Sequence, residues 1–441
     1  GWTDEELLRR GVVRLYELPW YQDVPDLIAP DVGDRLGNKV SLNAAGTRLA
    51  ASAPKRAAPV EEAEAGAAAG EEEEAAAPAP SGSVQVYDIG TDGTLSPLGR
   101  EFFGEPGDDL EGALSGDGQR IVITAKNNNG VNGTMKGAGK VTIYELEGDE
   151  WTMLGTPIYG LGTKDKFGKY AAMSYEGNVV AVGAPSAAGR GQARAFQFST
   201  TANDWIQLGR TLEGENTDDE FGWSVALSND GSILAVGARH NSGNNGTVYR
   251  SGHVQVYRYD PNADEGNGDF VQVGDDIDGE MEADHIGKEV SLSSDGKIVA
   301  FSSSGSDDNG MDSGKIRVFA YDETDNLWRQ RGQDIHGGAE SHELMRAALT
   351  SDGRRLVTAS HSAERYGGLY TGYVNVHDYY EESDGEGTGM WRRVGGQIWG
   401  KKAGENFGWG IHVSADGTRL AAGGPARKGE TPGRGFVRLY R

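Results

Sequence analysis

The sequence contains no cysteine, so it can form no disulfide, no thiolate metal site and no cysteine nucleophile. Basic residues are scarce beside acidic ones, with 42 Lys and Arg against 67 Asp and Glu and a formal net charge of −25. Nucleic-acid and anionic-membrane binding need clustered positive charge, and neither is predicted. No apolar run approaches the ~20 residues of a membrane span, and residues 1–4 do not begin a signal peptide. If the protein is secreted, we expect its leader to have been removed.

Motifs of common catalytic sites are missing as well. The sequence has no Gly-x-Ser-x-Gly elbow, no His-Glu-x-x-His helix and no Gly-Lys-Ser/Thr phosphate loop. Its eight histidines are dispersed, and we expect them to be scattered over the surface. One group of histidines and glutamates and two acidic loops are candidate metal sites, but their spacing does not favour a bound metal ion. No metal and no cofactor is predicted. The candidate residues are His336, His342, His361, Glu340, Glu343 and the loops 260–266 and 307–312.

Glycine, in contrast, is abundant. It makes up 68 of 441 residues, about 15%, which is roughly twice the ~7% of an average protein. A short turn, usually Asp-Gly, recurs seven times at intervals of 54 to 72 residues, and apolar stretches flank it, as in residues 221–228 and 233–238. Two apolar stretches around Asp-Gly are typical of a β-hairpin, because both turn residues tolerate positive φ. The turn glycines are Gly46, Gly118, Gly177, Gly231, Gly296, Gly353 and Gly417.

Two further strands complete each repeat. The third begins with glycine and alternates, as in residues 252–257, and the fourth carries an aromatic residue followed four positions later by glycine. In five repeats, 17 residues separate this aromatic from the glycine of the next first strand. Seven repeats of about 62 residues predict one all-β domain over residues 1–441, a seven-bladed β-propeller with four-stranded antiparallel blades. A β-solenoid is the alternative, but its coils are shorter and lack four strands per period.

The N-terminal segment is expected to close the ring. Residues 12–16 and Trp20 have the pattern of third and fourth strands, whereas residues 436–440 form a third strand with no fourth after it. An N-terminal segment that completes the last blade would remove two exposed sheet edges. One third-type strand is left over, and the sequence does not decide whether it is 12–16 or 436–440.

The best-preserved repeat, at residues 221–238, reads Phe-Gly-x-Ser-Val-x-Leu-Ser-x-Asp-Gly-x-x-Leu-Ala-Val-Gly-Ala. It resembles the FG-GAP repeat of integrin α-chain propellers, and the copy at 167–185 ends in Val-Gly-Ala-Pro. The resemblance covers nearly the whole chain and implies an extracellular ring that binds ligands or partners. The family's calcium loop is missing, because residues 228–231 (Ser-Asn-Asp-Gly) are too short and too poor in carboxylates. Its calcium sites are therefore not expected here.

Several insertions interrupt the repeats between second and third strands. Residues 56–80 are rich in Ala and Glu, with seven glutamates, and are expected to form a solvated acidic loop; a partner-binding arm is the alternative. Two other insertions carry Asn-Gly-Thr at the same position of their repeats, beginning at Asn132 and Asn245. These are acceptor sites for N-glycosylation if the chain is secreted.

First strands line the channel of a propeller, so the two residues after each Phe-Gly should ring one end of it. These positions vary, and in so acidic a chain their tryptophans and lysines predict an anion- or glycan-binding funnel. Simple filling of the channel is the use that the sequence favours, with this funnel as the alternative. The candidate ligand-binding residues are Lys169, Tyr170, Trp223, Lys288, Glu289 and Trp409. The recurrent fourth-strand aromatics are expected to pack between blades instead.

These features together favour a non-enzymatic extracellular or cell-surface interaction or structural protein. Its ring would present loops to protein or glycan partners, or to copies of itself, within an assembly. A propeller-type glycan lyase or hydrolase is the alternative, and it would need two carboxylates in one cleft, for which Glu289 is the one first-strand candidate. An intracellular scaffold is a further alternative, which leaves the two glycosylation motifs without a use.

Overall fold

A computed structural model describes residues 20–22, 24–59, 80–365, 367, 370–381, 389–426 and 433–441. The strand predicted at residues 12–16 and most of the 56–80 insertion lie outside these ranges. Seven antiparallel sheets, each built from four successive strand positions, are arranged as the blades of a ring. This confirms the predicted seven-bladed propeller. None of the helices in the described ranges has the length and apolar character that a membrane span requires.

Strands are numbered along the chain, and in each blade the first strand lies innermost. Strand β1 (Leu27–Ile28) belongs to the last blade. Blade 1 contains β2 (Lys39–Leu42), β3 (Arg48–Ala53), β4 (Ser83–Ile89), β5 (Leu95–Pro97) and β6 (Phe102–Phe103); blade 2 contains β7 (Glu111–Leu114), β8 (Arg120–Ala125), β9 (Lys140–Glu147), β10 (Glu150–Met153) and β11 (Ile158–Tyr159). Blade 3 contains β12 (Tyr170–Met173), β13 (Val179–Ala184), β14 (Gln192–Ser199) and β15 (Asp204–Glu213).

The remaining blades follow the same order. Blade 4 contains β16 (Phe221–Leu227), β17 (Ile233–Ala238), β18 (His253–Asp260), β19 (Asp269–Gln272) and β20 (Ile277–Asp278); blade 5 contains β21 (Ile286–Leu292), β22 (Ile298–Ser303), β23 (Lys315–Asp322), β24 (Leu327–Gln330) and β25 (Ile335–His336). Blade 6 contains β26 (Arg346–Leu349), β27 (Arg355–Ser360), β28 (Tyr373–Tyr380) and β29 (Met390–Trp399), and blade 7 contains β30 (Gly410–Val413), β31 (Leu420–Gly424), β32 (Phe436–Tyr440) and β1. The helical segments are single turns: η1 (Val131–Gly133), η2 (Ala187–Gly189), α1 (Gly243–Gly246) and α2 (Ala263–Gly266).

The turn between first and second strands differs in one detail from the sequence-based expectation. The glycine of each turn has φ between +63° and +74°, whereas the aspartate beside it keeps a negative φ. In blade 4, the Asp230 carboxylate accepts hydrogen bonds from the Ser228 hydroxyl at 2.6 Å and the Ser232 amide at 2.9 Å. Aspartate therefore recurs here because its side chain caps the turn, and glycine recurs because it alone adopts the left-handed conformation without strain.

Backbone hydrogen bonds join all seven of these turns into a closed hoop. Each turn donates one amide to a carbonyl of the next, at 2.7 to 3.1 Å, and the seventh link returns from blade 7 to blade 1. The hoop surrounds one end of the central channel, which we call the channel base. The donors are Ala44, Asp117, Tyr175, Asn229, Ser294, Ser351 and Ala415.

The fourth-strand aromatics pack between blades, as predicted. The indole Nε1 of Trp205 in blade 3 donates to the Leu154 carbonyl of blade 2 at 2.8 Å, and Trp391 makes the same bond to Arg331 at 2.8 Å. The glycine that follows each acceptor lies under the indole ring: a Cβ on Gly155 would lie 2.8 Å from Cδ1 of Trp205. The recurrent aromatic and the recurrent glycine four positions after it are thus partners across successive blades.

Strand β1 forms the outer edge of blade 7. It pairs antiparallel with β32, with Leu27 opposite Val437. The backbones of Tyr21 and Arg441 also exchange two hydrogen bonds, at 3.0 and 3.1 Å. The third strand of this blade is therefore the C-terminal one, β32, and its fourth strand comes from the N-terminal part of the chain.

Candidate functional site

The opposite end of the channel, where the first strands begin, forms a polar cavity of about 310 Å³ that we call the channel mouth. One position in each first strand, four residues before the Ser, Thr or Asn that starts the turn, provides the inner layer of side chains. Six of these seven residues line the cavity, and the seventh, Ser224, hydrogen-bonds the Gly287 carbonyl instead at 2.7 Å. The six are Lys39, Glu111, Tyr170, Glu289, Arg346 and Gly410.

Three of them form a hydrogen-bonded group across the channel. Arg346 donates from one terminal nitrogen to Glu289 Oε2 at 2.5 Å and to the Tyr170 hydroxyl at 2.9 Å, and the Tyr170 hydroxyl lies 3.2 Å from Glu289 Oε2. Burial and the Glu289 charge raise the pKa of Tyr170, so the phenol stays protonated. Burial lowers the pKa of Arg346, but Tyr170 and Glu289 outweigh it and raise the value overall. The Nε of Arg346 has no hydrogen-bond partner among the described residues.

Positive charge exceeds negative charge at the mouth. Six basic side chains line the cavity against three acidic ones, which is a surplus of three in a chain of net charge −25. Burial lowers the pKa of Lys169 to about 8, although Glu111 opposes this shift, and burial likewise lowers the pKa of Lys288 to about 8. Cations held in a partly desolvated cavity attract an anion more strongly than they would in open water. The basic side chains are Arg35, Lys39, Lys55, Lys126, Lys169 and Arg346.

Aromatic rings hold several of these cations in place. The Lys39 ammonium lies 4.6 Å from the centre of the Tyr170 ring, and the Lys169 ammonium lies 4.7 Å from that of Trp223. The Arg239 guanidinium stacks on the same Trp223 ring at 3.4 Å. Cation–π contacts of this kind keep the charges pointed at the cavity without neutralising them.

Glu111 is a mouth residue that the sequence did not reveal. It accepts a hydrogen bond from Asn38 at 3.0 Å and lies 3.6 Å from the Lys126 ammonium. Burial raises its pKa, but Lys126, Lys169, Lys39 and Arg346 together lower it below the ordinary value. Counting four residues back from the turn serine, Ser115, would have identified Glu111 as a mouth residue. Repeat 2 has no Phe-Gly pair before its first strand, which concealed the alignment.

Behind this inner layer, the first strands carry uncharged side chains. The next inward-facing position of each first strand carries a small side chain in six blades and His412 in the seventh, around a space of about 250 Å³. Burial and the nearby Lys39 lower the pKa of His412 to about 4, so it is neutral at physiological pH. An anion is therefore favoured at the mouth and not deeper in the channel. The small residues are Ser41, Ala113, Ala172, Ala226, Ser291 and Ala348.

The six residues predicted for ligand binding fall into two groups. Lys169, Tyr170, Glu289 and Trp409 line one cavity. Trp223 lies beside it under Lys169, and Lys288 lies beside it within the electrostatic influence of Arg346. Their role in binding remains a prediction.

The two glycosylation motifs lie in different local structures. Asn132 is exposed, with φ +58°, within the turn η1. Asn245 falls in the helical turn α1, and its side chain lies outside the described atoms.

The histidine cluster weighed from the sequence does not form. His361 packs edge-on against Trp409 at 4.3 Å, and His342 against Tyr373 at 5.9 Å, while His336 lies 3.7 Å from Asp308. The expectation that the histidines are scattered over the surface is wrong for His253, His361 and His377, which are 0%, 6% and 7% exposed.

Comparison with known proteins supports the fold. Residues 211–257 match the family model described as FG-GAP repeat. A solved structure provisionally assigned as a 6-phosphogluconolactonase from Bacteroides uniformis ATCC 8492 is 15% identical, with a TM-score of 0.52 over 77% of this chain and 84% of that one. A second, from Bacteroides fragilis NCTC 9343 and assigned in the same way, is 12% identical, with a TM-score of 0.51 over 83% and 85%. No curated protein matches the sequence. At these identities the likeness concerns the fold alone.

Proposed function

We propose that this FG-GAP-like seven-bladed β-propeller is a binding protein whose channel mouth takes an anionic group of a glycan partner. The surplus of three basic side chains in one cavity is the observation that supports this proposal. A carboxylate entering the mouth would meet Lys39 and Lys169, each held against an aromatic ring. The Nε of Arg346 adds a buried donor that has no hydrogen-bond acceptor among the described residues. Hydrogen bonds between ionised partners are roughly twice as strong as neutral ones.

The dimensions of the mouth set the size of the group it accepts. A volume of about 310 Å³ lies at the small end of ligand pockets, and the uncharged layer behind it offers an anion no further basic side chain. The site therefore suits one terminal acidic sugar of a chain that continues into solvent.

The test is a binding comparison with matched oligosaccharides. Calorimetric titration of the full chain should give measurable affinity for oligosaccharides that end in a uronic acid. Neutral oligosaccharides of the same length should bind at least about ten-fold more weakly, and higher salt should weaken only the acidic series. Equal binding of both series, or binding of neither, would contradict the proposal.

A hydrolase is the second candidate, because Glu111 and Glu289 share one cavity. Glycoside hydrolysis needs one carboxylic acid with a raised pKa to protonate the leaving group. Here the pKa of Glu111 is lowered, and Glu289 is engaged by Arg346 and Tyr170. Binding without turnover is therefore favoured. The same oligosaccharides, together with a sugar δ-lactone, should remain uncleaved during overnight incubation with the protein.

The cellular location and partners are part of the same proposal. We place the protein outside the cell or at its surface, on the strength of the FG-GAP resemblance and of the two Asn-Gly-Thr motifs. Within an assembly, the acidic insertion at 56–80 would contact a basic surface on a protein partner or a second copy. Hexose-bearing Asn132 in the intact mass of native material would support the location, and an unmodified mass from the cytosol would favour the intracellular scaffold.

A further inference from the structure

A cluster of two carboxylates and a histidine lies outside the lining of the channel mouth, at the junction of blades 3 and 4. Glu215 follows β15, His253 begins β18, and Asp276 precedes β20. One donor atom from each of the three lies within 4.8 Å of the others, and His253 Nδ1 is 3.8 Å from Asp276 Oδ2. The three residues are 23 to 61 positions apart in the sequence, and the folded blades bring them together.

The histidine of this cluster is buried and makes no hydrogen bond within the described part of the chain. The side chain of His253 is 0% exposed, and neither ring nitrogen has a hydrogen-bond partner among the described residues, although Nδ1 lies 3.8 Å from Asp276 Oδ2. Buried polar groups in folded proteins are nearly always hydrogen-bonded, because an unsatisfied one loses its hydration without compensation. A buried imidazole that faces two carboxylates and bonds to neither is therefore a group whose partner comes from outside the chain.

Comparison among the blades shows which kind of partner is missing. The first residue of the third strand is Lys140 in blade 2 and Lys315 in blade 5, where blade 4 has His253. The Lys315 ammonium lies 2.9 Å from Asp308 and 4.0 Å from Asp334, which precedes β25 as Asp276 precedes β20. The Lys140 ammonium likewise lies 3.0 Å from Glu105. Blade 4 retains the carboxylates and replaces the ammonium group by an imidazole, which can offer a ring nitrogen to a metal cation held between the same carboxylates.

Hydrogen bonds from neighbouring side chains fix the orientation of the two carboxylates. Asp276 Oδ1 accepts hydrogen bonds from the amides of Gln255 at 3.0 Å and Gln272 at 2.6 Å, which leaves Oδ2 directed at His253. Glu215 Oε2 accepts a hydrogen bond from Asn241 at 3.3 Å. Outer partners of this kind fix the orientation of ligating side chains in metal sites.

We propose that Glu215, His253 and Asp276 bind a divalent first-row transition metal ion, with Zn²⁺ as the best-matched example. Imidazole nitrogen with carboxylate oxygen suits zinc, whereas calcium and magnesium prefer oxygen donors alone. In a tetrahedral site, with zinc–nitrogen at about 2.1 Å and zinc–oxygen at up to about 2.2 Å, two donors lie about 3.5 Å apart. His253 Nδ1 and Asp276 Oδ2 are already 3.8 Å apart, and side-chain movements of about an ångström would bring all three donors to that separation. Glu215 is exposed, which leaves a fourth position open to water.

The test is zinc binding by the full chain, purified without an affinity tag and stripped with a chelator. Calorimetric titration with ZnCl₂ in a hundred-fold excess of calcium should show one equivalent of tight binding, and zinc should raise the melting temperature. His253→Lys copies the arrangement of blade 5 and should abolish the zinc effect. Asp276→Asn, at a partly exposed site where folding is not at risk, should weaken binding more than about 100-fold, since even the loss of an outer-shell partner costs 10- to 100-fold.

Another group of two carboxylates and a histidine, in blade 5, supplies a matched control. One donor atom each of Asp308, Asp334 and His336 in blade 5 also lies within 4.8 Å of the others, but the Lys315 ammonium already pairs with Asp308 at 2.9 Å and lies 4.0 Å from Asp334. His336→Gln should therefore bind zinc like the parent. The proposal would be overturned if the folded parent bound no zinc, if Asp276→Asn bound it as tightly as the parent, or if His336→Gln lost it instead. Circular dichroism of each variant establishes that a loss of binding is not a loss of fold.

Discussion

Removal of residues 1–30 should lower the melting temperature by at least about 10 °C and expose the protein to aggregation. The deletion takes away β1, the edge partner of β32, and the backbone pair between Tyr21 and Arg441. It also removes Asp26, which binds Arg438 through three hydrogen bonds of 3.0 to 3.1 Å. Arg438 is 1% exposed and would keep only Glu405, at 3.3 Å, of its two carboxylate partners. Breaking a buried ion pair outright costs about 3–5 kcal/mol, so the loss of one of two partners costs less, and the loss of strand pairing is added to it.

A shorter deletion serves as the matched control. Removing residues 1–19 leaves Trp20, Tyr21, Asp26 and β1 in place, so this variant should melt close to the parent. Calorimetry of both deletions measures the difference. If the 1–30 deletion melted like the parent, the hoop of seven backbone hydrogen bonds, which closes from Ala415 to Ala44 without the N-terminal segment, would be sufficient to hold the ring.

Replacement of Arg346 by methionine should reduce the affinity for uronate-terminated oligosaccharides by about 10- to 100-fold. The change removes one positive charge from the mouth and a hydrogen-bonding partner from both Glu289 and Tyr170. A hydrogen bond to a charged group contributes about 1.5–3 kcal/mol, and each 1.4 kcal/mol is a factor of ten in affinity. Calorimetric titration with the same acidic ligands measures the effect.

Two further variants distinguish binding from stability in that experiment. Arg346→Met alone leaves Glu289 partly buried without its cation, so it should also lower the melting temperature. The double variant Arg346→Met/Glu289→Gln should recover much of the stability but not the binding. Lys297→Met makes the same change of charge at a half-exposed ion pair with Glu323, away from the mouth, and should bind like the parent. Unchanged affinity in Arg346→Met would place the anion site elsewhere.

Local features of the fold could be predicted because each is encoded within one repeat. The left-handed glycine of the turn and the alternation of the strands depend on neighbours in sequence. The fourth-strand aromatic and the glycine four positions after it have their reason in another blade, since Gly155 makes room for Trp205. Their regular spacing still revealed them, because six blade junctions repeat the same contact.

The sequence by itself determined the number of blades, their four strands and the end of the channel at which the variable residues lie. Only the tertiary structure decided which side chains meet there: Arg346 lies 57 residues from Glu289 and 176 from Tyr170, and a repeat fixes a position within its own blade but not its neighbours across a channel. Glu111 was missed because its repeat lacks the Phe-Gly pair that marks this position in other repeats. The Glu215, His253 and Asp276 cluster arises at a junction between blades, where packing of the ring sets distances that no local pattern records.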